Sequence, residues 1–223
     1  MAGSIPPASP APPPASSALP FPRPRRPLGP APEAAARHWY ERVLGWTTAQ
    51  GAPGAPLRLV TGVRFDVLDV PAEAGAVALR HLAPESPVAL QGGRMRLLVA
   101  AGSAEELPGL LDWLEWGALA LDLRALGAGG LTEAPAPPVR TAGAGVRRPG
   151  AGAVQGAAVW LRPPEPGRDV EAALPALPSF EGVTGAPDLV RLVDTVAAQC
   201  HRVRLRRGAG PRSRGRDQPL AFS

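Results

Sequence analysis

Apolar residues recur at two different spacings along residues 33–201, and these spacings predict alternating helices and strands. Segments with apolar residues three or four positions apart are predicted to be helical; they comprise residues 33–44, 72–82, 103–116 and 188–201. Short apolar or alternating segments are predicted to be strands; they comprise residues 57–62, 63–71, 94–100, 118–126, 131–135 and 157–164. This order predicts a single α+β domain with a mixed or mainly antiparallel sheet and flanking helices.

Residues that begin or end helices support these boundaries. Gly45 follows the first helical segment and predicts its C-terminal end. Ser103 and Glu106 have the spacing of a capping box, and Asp188 is the expected N-cap of the last helix. The pair Gly92–Gly93 predicts a turn that leads into the strand 94–100.

Large apolar side chains identify the expected core of the domain. The tryptophans at 39, 46, 113 and 116 are expected to be core anchors rather than platforms on which bases stack. Cys200 lies on the apolar face of the last helix and is expected to be buried there.

Composition divides the chain into a folded middle and two unusual ends. Residues 1–32 contain 12 of the 30 prolines and predict a disordered arm, either a passive linker or a docking segment for a protein partner. Residues 33–201 form the predicted domain, with a flexible loop at 139–153. Residues 202–223 carry seven arginines and one acid, and we expect a disordered arginine-rich tail.

Charge and cysteine content exclude several classes of protein. The net charge of +5 comes from the two ends, because the middle holds 14 arginines against 18 acids. One cysteine excludes an internal disulfide and a zinc site built from several cysteines, and three scattered histidines argue against a zinc hydrolase. There is no run of about 18 apolar residues, and prolines interrupt the N-terminus, so we expect a cytoplasmic protein without membrane contact.

Three segments combine acids, glycines and strand ends in an informative order. They are GVRFDVLDVPAEAG (62–75), GGRMRLLV (92–99) and ALDLRALGAGGLTEAPAPP (120–138). This order resembles the N-terminal domain of bifunctional DNA primase/polymerases, the prim-pol domain of the archaeo-eukaryotic primase superfamily. The resemblance covers about residues 33–180, and the chain looks closest to truncated, divergent primase-like proteins of high-GC actinobacteria.

The resemblance implies a catalytic centre of carboxylates that hold Mg²⁺ or Mn²⁺ against a nucleoside triphosphate. Asp69 and Asp122 match two of the acids of that centre and are the candidate catalytic and metal-binding residues. Pro71 stands where the second acid of an Asp-x-Asp pair is expected, and Met95 stands where the family has a histidine. Neither residue offers a good ligand for a hard cation or a phosphate, so the resemblance implies a degenerate active site.

Basic residues provide the second set of candidates. Arg94 and Arg96 could bind nucleotide phosphates, although they could also be solvated strand residues. Asp69 and Asp122 could equally cap strand ends or pair with Arg64 and Arg124. The arginines of the tail could bind nucleic-acid phosphates without sequence preference; they are Arg202, Arg204, Arg206, Arg207, Arg212, Arg214 and Arg216.

The sequence therefore leaves three functional hypotheses open. The first is a degenerate primase/polymerase-like protein that binds nucleotide or nucleic acid, such as DNA, and for which the sequence establishes no cofactor. The second is an active nucleotidyl transferase that uses Mg²⁺ or Mn²⁺ at Asp69 and Asp122. The third is a non-enzymatic adaptor that binds another protein through its proline-rich and arginine-rich ends.

Overall fold

A computed structural model describes residues 32–52, 54–138, 156–177 and 188–209. Within these ranges the chain has the expected α+β fold, with two antiparallel sheets and flanking helices. Most of the proline-rich arm (1–31), the predicted loop at 139–153 and residues 210–223 of the predicted tail lie outside the described residues.

The helices flank the sheets in the predicted order. The α-helices are α1 (Pro32–His38), α2 (Ala72–Ala78), α3 (Ser103–Trp113) and α4 (Leu189–Gly208). A π-helical turn, Trp39–Val43, continues α1, and the chain leaves it at Gly45, whose φ of 69° is the left-handed conformation that glycine tolerates best. The predicted end of the first helix is thus confirmed.

The strands form one large sheet and one small sheet, each antiparallel throughout. They are β1 (Thr48–Ala49), β2 (Arg58–Val60), β3 (Asp66–Pro71), β4 (Val88–Gln91), β5 (Arg94–Val99), β6 (Arg124–Leu126), β7 (Leu131–Glu133) and β8 (Val159–Arg162). The large sheet has the strand order β6-β3-β5-β4-β8, and the small sheet has the order β1-β2-β7.

Each face of the large sheet covers its own hydrophobic core, because successive side chains of a strand point to opposite faces. On one face, Leu68 and Val70 of β3 pack with apolar residues of α2, α3 and α4. On the other face, Val67 and Leu98 pack with an aromatic cluster made of Tyr40, Trp46, Phe65 and Trp160. Tyr40 donates a 2.6 Å hydrogen bond to the carbonyl oxygen of Pro135 and accepts one from Trp160, so its buried hydroxyl is satisfied.

The structure corrects the expectation that the tryptophans anchor the core. Trp46 is buried in the aromatic cluster. Trp39 and Trp116 are half-buried, whereas Trp113 is 72% exposed at the end of α3. The apolar stripe of α3 runs through Leu107 and Leu110, and Trp113 lies off this stripe.

The start of α3 differs from the predicted capping box. Gly102 is the N-cap and therefore supplies no side-chain oxygen to accept a capping hydrogen bond, and Ser103 is the first helical residue. The backbone N–H of Ala104 instead donates a 2.9 Å hydrogen bond to Oδ2 of Asp66, which lies on the neighbouring strand β3. A carboxylate from another element therefore replaces the local cap.

The last helix begins as expected at its cap but continues past its predicted end. Asp188 accepts hydrogen bonds from the N–H groups of Val190 and Arg191, which confirms it as the N-cap. The helix runs to Gly208 rather than to residue 201, because Val203 continues its buried apolar face. Arg202, Arg204, Arg206 and Arg207 are consequently helical residues and not part of a disordered tail.

Three smaller differences concern the strands. The sequence patterns predicted neither β1 nor β4. Before residue 94 they predicted only the turn at Gly92–Gly93, which in the structure joins β4 to its partner strand β5. The predicted strand at 118–126 is reduced to β6.

None of the helices in the described part of the chain is long and apolar enough to cross a membrane.

Candidate functional site

Two paired strands bring the candidate residues together at one end of the large sheet. Asp69 of β3 lies opposite Arg96 of β5, and Pro71 lies opposite Arg94. Because residues two apart share a face, Asp69, Arg94 and Arg96 all lie on the face that carries the aromatic cluster. Asp122 precedes β6, the neighbour of β3, and completes the group.

Arg94 lies between the two candidate acids and binds both. Its Nε donates to Oδ1 of Asp69 at 2.5 Å, and its Nη1 donates to Oδ1 of Asp122 at 2.7 Å. Its Nη2 donates to the backbone oxygen of Asp69 at 2.7 Å. Burial lowers the pKa of Arg94, but the hydrogen bonds to both carboxylates outweigh burial and raise it above its usual range.

The remaining carboxylate oxygens also face arginines. Oδ2 of Asp69 lies 4.0 Å from Nε of Arg96, and Oδ2 of Asp122 lies 3.7 Å from Nη1 of Arg207 on α4. Every side-chain oxygen of Asp69 and Asp122 therefore has a guanidinium group beside it. Such a shell is complementary to the two negative charges and leaves both acids paired.

Arg96 is the least satisfied member of the group. Its side chain is 15% exposed, and within the described residues its Nε and Nη1 have no hydrogen-bond partner. Burial lowers its pKa, although the charges of Asp69 and Glu133 act in the opposite direction. Arg96 thus holds two buried N–H groups that have no hydrogen-bond partner among the described residues.

Gln91 and Glu133 form the border of the group toward the small sheet. Gln91 of β4 donates a 2.6 Å hydrogen bond to Oε2 of Glu133, which belongs to β7 of the small sheet. The backbone N–H of Ala158 donates to the other oxygen of Glu133 at 3.1 Å. The polar group therefore lies where the two sheets meet.

The residues present do not fit a catalytic Mg²⁺ or Mn²⁺. Within the described ranges, no three acidic, histidine or cysteine side chains are grouped closely enough to hold a metal ion. Asp69 and Asp122 already bind the guanidinium group of Arg94, which carries the positive charge that a cation would supply. A divalent ion would have to displace Arg94 and would be repelled by it.

The positions that depart from the primase/polymerase pattern have clear structural roles. Met95 is buried in the core under α2, on the face opposite Asp69. Asp66 also lies on that opposite face, fully buried, where it caps α3. Among the described residues, neither predicted alternative partner forms an ion pair with these acids. Arg64 pairs with Glu171, and Arg124 lies opposite Asp69 in strand register without an ion pair to it.

One helical arginine of α4, Arg207, reaches this group, and its neighbours contact other parts of the fold. Arg207 faces Asp122, Arg206 lies 3.8 Å from Glu73 of α2, and Arg204 donates to the backbone oxygen of Ala120. Arg202 is exposed on the same two turns. The predicted phosphate-binding residues Arg212, Arg214 and Arg216 lie outside the described residues.

In comparisons with protein-family models, curated proteins and solved structures, the chain has no match. The resemblance to primase/polymerase domains therefore stays a prediction from three short sequence segments.

Proposed function

We propose that this chain is a primase/polymerase-like protein that has lost metal-dependent catalysis and binds the phosphates of a nucleotide or of nucleic acid. One observation carries the proposal: guanidinium groups surround both candidate catalytic acids, and Arg94 bridges them. A centre for phosphoryl transfer needs carboxylates that are free to hold cations. Here the protein's own cation occupies that position.

The group pairs its arginines with acids. Arg94, Arg96 and Arg207 face Asp69 and Asp122, and the charge of Glu133 also acts on Arg96, so three positive charges meet three negative ones. Nε and Nη1 of Arg96 are buried and have no hydrogen-bond partner among the described residues. If the side chain of Arg96 turns outward on binding, a phosphate oxygen satisfies these donors through charge-assisted hydrogen bonds, which are stronger than neutral ones.

The last two turns of α4 carry a basic surface that begins at Arg207, beside Asp122. Arg202 and Arg204 lie on the same two turns as Arg206 and Arg207, and all four side chains are exposed. Contacts from several arginines to a phosphate backbone give affinity without sequence preference. We therefore favour a nucleic-acid strand such as DNA over a free nucleotide, in the cytoplasm, where both are available.

Binding of a fluorescently labelled single-stranded dT20 oligonucleotide, measured by anisotropy without added metal, tests the proposal. Arg96→Gln should weaken binding about 10-fold or more, because a hydrogen bond to a charged group contributes about 1.5–3 kcal/mol. Arg168→Gln removes an exposed arginine that pairs with Glu85 and Glu165, and it should leave the affinity unchanged.

Primer extension with Mg²⁺ or Mn²⁺ tests the loss of catalysis. We expect no extension by the full chain with either ion. Extension that Asp69→Ala abolishes would contradict the proposal and favour an active nucleotidyl transferase. Equal affinities of the Arg96→Gln and Arg168→Gln variants would contradict phosphate binding at the paired strands.

A further inference from the structure

The outer face of α3 carries the most exposed large apolar side chain of the described residues. Trp113 is 72% exposed, whereas Leu107 and Leu110, on the inner side of the helix, are buried in the core. We call this outer surface the Trp113 face; its members are all exposed, and they are Glu105, Glu106, Gly109, Asp112 and Trp113. Gly109 adjoins each of the other four, because residues three or four apart are neighbours on a helix.

The Trp113 face is acidic and open at its centre. Residues 97–123 contain five acids and no arginine, lysine or histidine, and three of these acids belong to the face. A Cβ atom added to Gly109 would meet no atom within 4 Å, so no described part of the chain packs over the centre of the face. A tryptophan beside acids suits a partner with guanidinium groups, which pair with carboxylates and are attracted to the ring of tryptophan.

The last turns of α4 carry a surface of the opposite charge. We call it the Leu205 face; it consists of Arg202, Leu205 and Arg206. Leu205 is 58% exposed and lies on the side of the helix away from the buried Val203. Leu205 and Arg206 follow Arg202 by three and four residues, so Arg202 adjoins both of them on the helix. Residues 195–209 contain four arginines and no acid, so negative charge from α4 itself does not offset this face.

The arginines of the Leu205 face are accessible to a partner. Both side chains belong to exposed residues. Arg206 lies 3.8 Å from Glu73 of α2, but its side chain remains 67% exposed. An ion pair between side chains this exposed contributes little to stability, so Arg206 can turn to another acid at small cost.

We propose that the Trp113 face of one molecule binds the Leu205 face of a second copy of this chain. Each face has one exposed apolar side chain beside charges of one sign, and the two signs are opposite. Trp113 can therefore pack against Leu205 while the arginines meet the acids. Tryptophan and arginine are the residue types that dominate the energy of protein interfaces.

The contact joins two different surfaces, so it is heterologous. Each molecule can offer its Trp113 face to one neighbour and its Leu205 face to another, and such contacts build rings or chains of molecules. A second copy is favoured over another basic partner, because the described part of the chain itself supplies the complementary surface. The proposal does not depend on the proposed phosphate binding, since its test contains no nucleic acid.

Sedimentation velocity of the full chain at increasing protein concentration tests self-association. We expect the average mass to rise with concentration and to fall when NaCl is added, because salt screens the opposite charges. Trp113→Ser should weaken association about 30-fold or more, as the loss of an interface hot spot does. Leu205→Ser should weaken it about 10-fold or more, because a leucine is no longer buried. The control is Val63→Ser, which removes an apolar side chain that is 59% exposed in the loop between β2 and β3 and should change nothing.

A mixture of the two variants decides which surfaces meet. The Trp113→Ser variant keeps an intact Leu205 face, and the Leu205→Ser variant keeps an intact Trp113 face. At a concentration where each variant alone is monomeric, their equimolar mixture should therefore form heterodimers that grow no further. A parent chain that stays monomeric would overturn the proposal, even if a deca-arginine peptide bound to it through Trp113. A mixture that forms no heterodimers would overturn it as well.

Discussion

At the scale of single residues, Arg94 determines what can bind where the end of β3 lies beside the start of β5. Its replacement by methionine should leave Asp69 and Asp122 facing each other without the intervening positive charge. We expect Arg94→Met to lower the free energy of unfolding by about 1–3 kcal/mol, because two partly buried carboxylates then repel. Chemical denaturation of the variant and the parent chain measures this difference.

The same variant tests whether Arg94 substitutes for a cation. Millimolar Mn²⁺ should raise the melting temperature of Arg94→Met, since a ligand that binds only the folded state stabilises it. The parent chain should show no such increase. If Mn²⁺ raises the melting temperature of the parent chain as much as that of the variant, Arg94 does not take the place of a cation.

Asp66 gives a prediction about pH. Burial raises the pKa of its carboxyl, although the N–H groups of Ala104, Gly102 and Gly62 lower it. The folded pKa therefore lies above the unfolded value of about 3.9. At pH values between the unfolded and the folded pKa, this carboxyl is ionised in the unfolded chain but still protonated in the folded protein. The free energy of unfolding therefore decreases as pH rises through this range.

Asp66→Asn should remove the pH dependence that this carboxyl contributes to stability. It keeps a side-chain oxygen that can accept the hydrogen bond from the N–H of Ala104. We expect the variant to gain stability relative to the parent as pH rises from about 4 toward the folded pKa. Urea denaturation at several pH values measures the difference. A constant difference between the two proteins across this range would contradict a raised pKa at Asp66.

The sequence identified most of the site residues but not their contacts. Asp69, Asp122, Arg94 and Arg96 follow from short motifs near strand ends, and the structure brings all four together. Which side chain lies between which others depends on strand register, which no local pattern specifies.

Two further residues of the site, Gln91 and Glu133, were not predicted from the sequence, and Arg207 was predicted only as a residue of the tail. They come from β4, β7 and α4, elements that are distant along the chain. Only their tertiary arrangement brings them together, so no local spacing could have linked them.

At the scale of secondary-structure elements, two helical glycines should respond oppositely to alanine. A Cβ atom on Gly75 of α2 would lie 2.5 Å from Sδ and 2.9 Å from Cβ of Met95 on β5. A Cβ atom on Gly109 of α3 would meet no atom within 4 Å. Close packing of α2 on the sheet therefore requires Gly75, whereas Gly109 has no such role.

We expect Gly75→Ala to lower the free energy of unfolding by about 1–3 kcal/mol, as overpacking does. Gly109→Ala should raise it by about 0.5–1 kcal/mol, because alanine loses less conformational entropy in a helix. Thermal and urea denaturation of the two variants provide matched measurements. Equal effects of the two substitutions would show that α2 does not pack closely on Met95.

Element types were predicted better than element ends, for physical reasons. Helical periodicity identified α4 and its cap at Asp188, but the cluster of arginines after residue 201 concealed the buried Val203. Val203 continues the apolar spacing of Val196 and Cys200, so the signal was present in the sequence. At α3, the cap comes from Asp66 on another strand, and local sequence cannot show this.

At the scale of the whole molecule, the position of positive charge matters more than its total. The middle of the chain is net negative, with 14 arginines against 18 acids at residues 33–201. The last two turns of α4 carry four exposed arginines, of which Arg207 faces Asp122, a partner of Arg94 on the large sheet. A local basic surface on an otherwise acidic domain should bind a polyanion only at this end.

This arrangement predicts a specific salt dependence for binding of single-stranded dT20. Each phosphate contact contributes about −0.7 to the slope of log affinity against log salt concentration, because bound counterions are released. Arg202→Gln/Arg206→Gln should therefore reduce the magnitude of the slope by about 1.4 if each arginine contacts one phosphate. Anisotropy titrations at several NaCl concentrations measure this slope.

The control is Arg42→Gln/Arg168→Gln, which removes the same charge from exposed positions outside α4. A long-range effect of net charge would change the affinity of both double variants equally. If the arginines of α4 contact phosphates directly, only their removal changes the slope of log affinity against log salt concentration. The reason is that the slope depends on the number of phosphates that the protein contacts. Equal slopes for the two double variants would therefore place the nucleic acid elsewhere on the molecule.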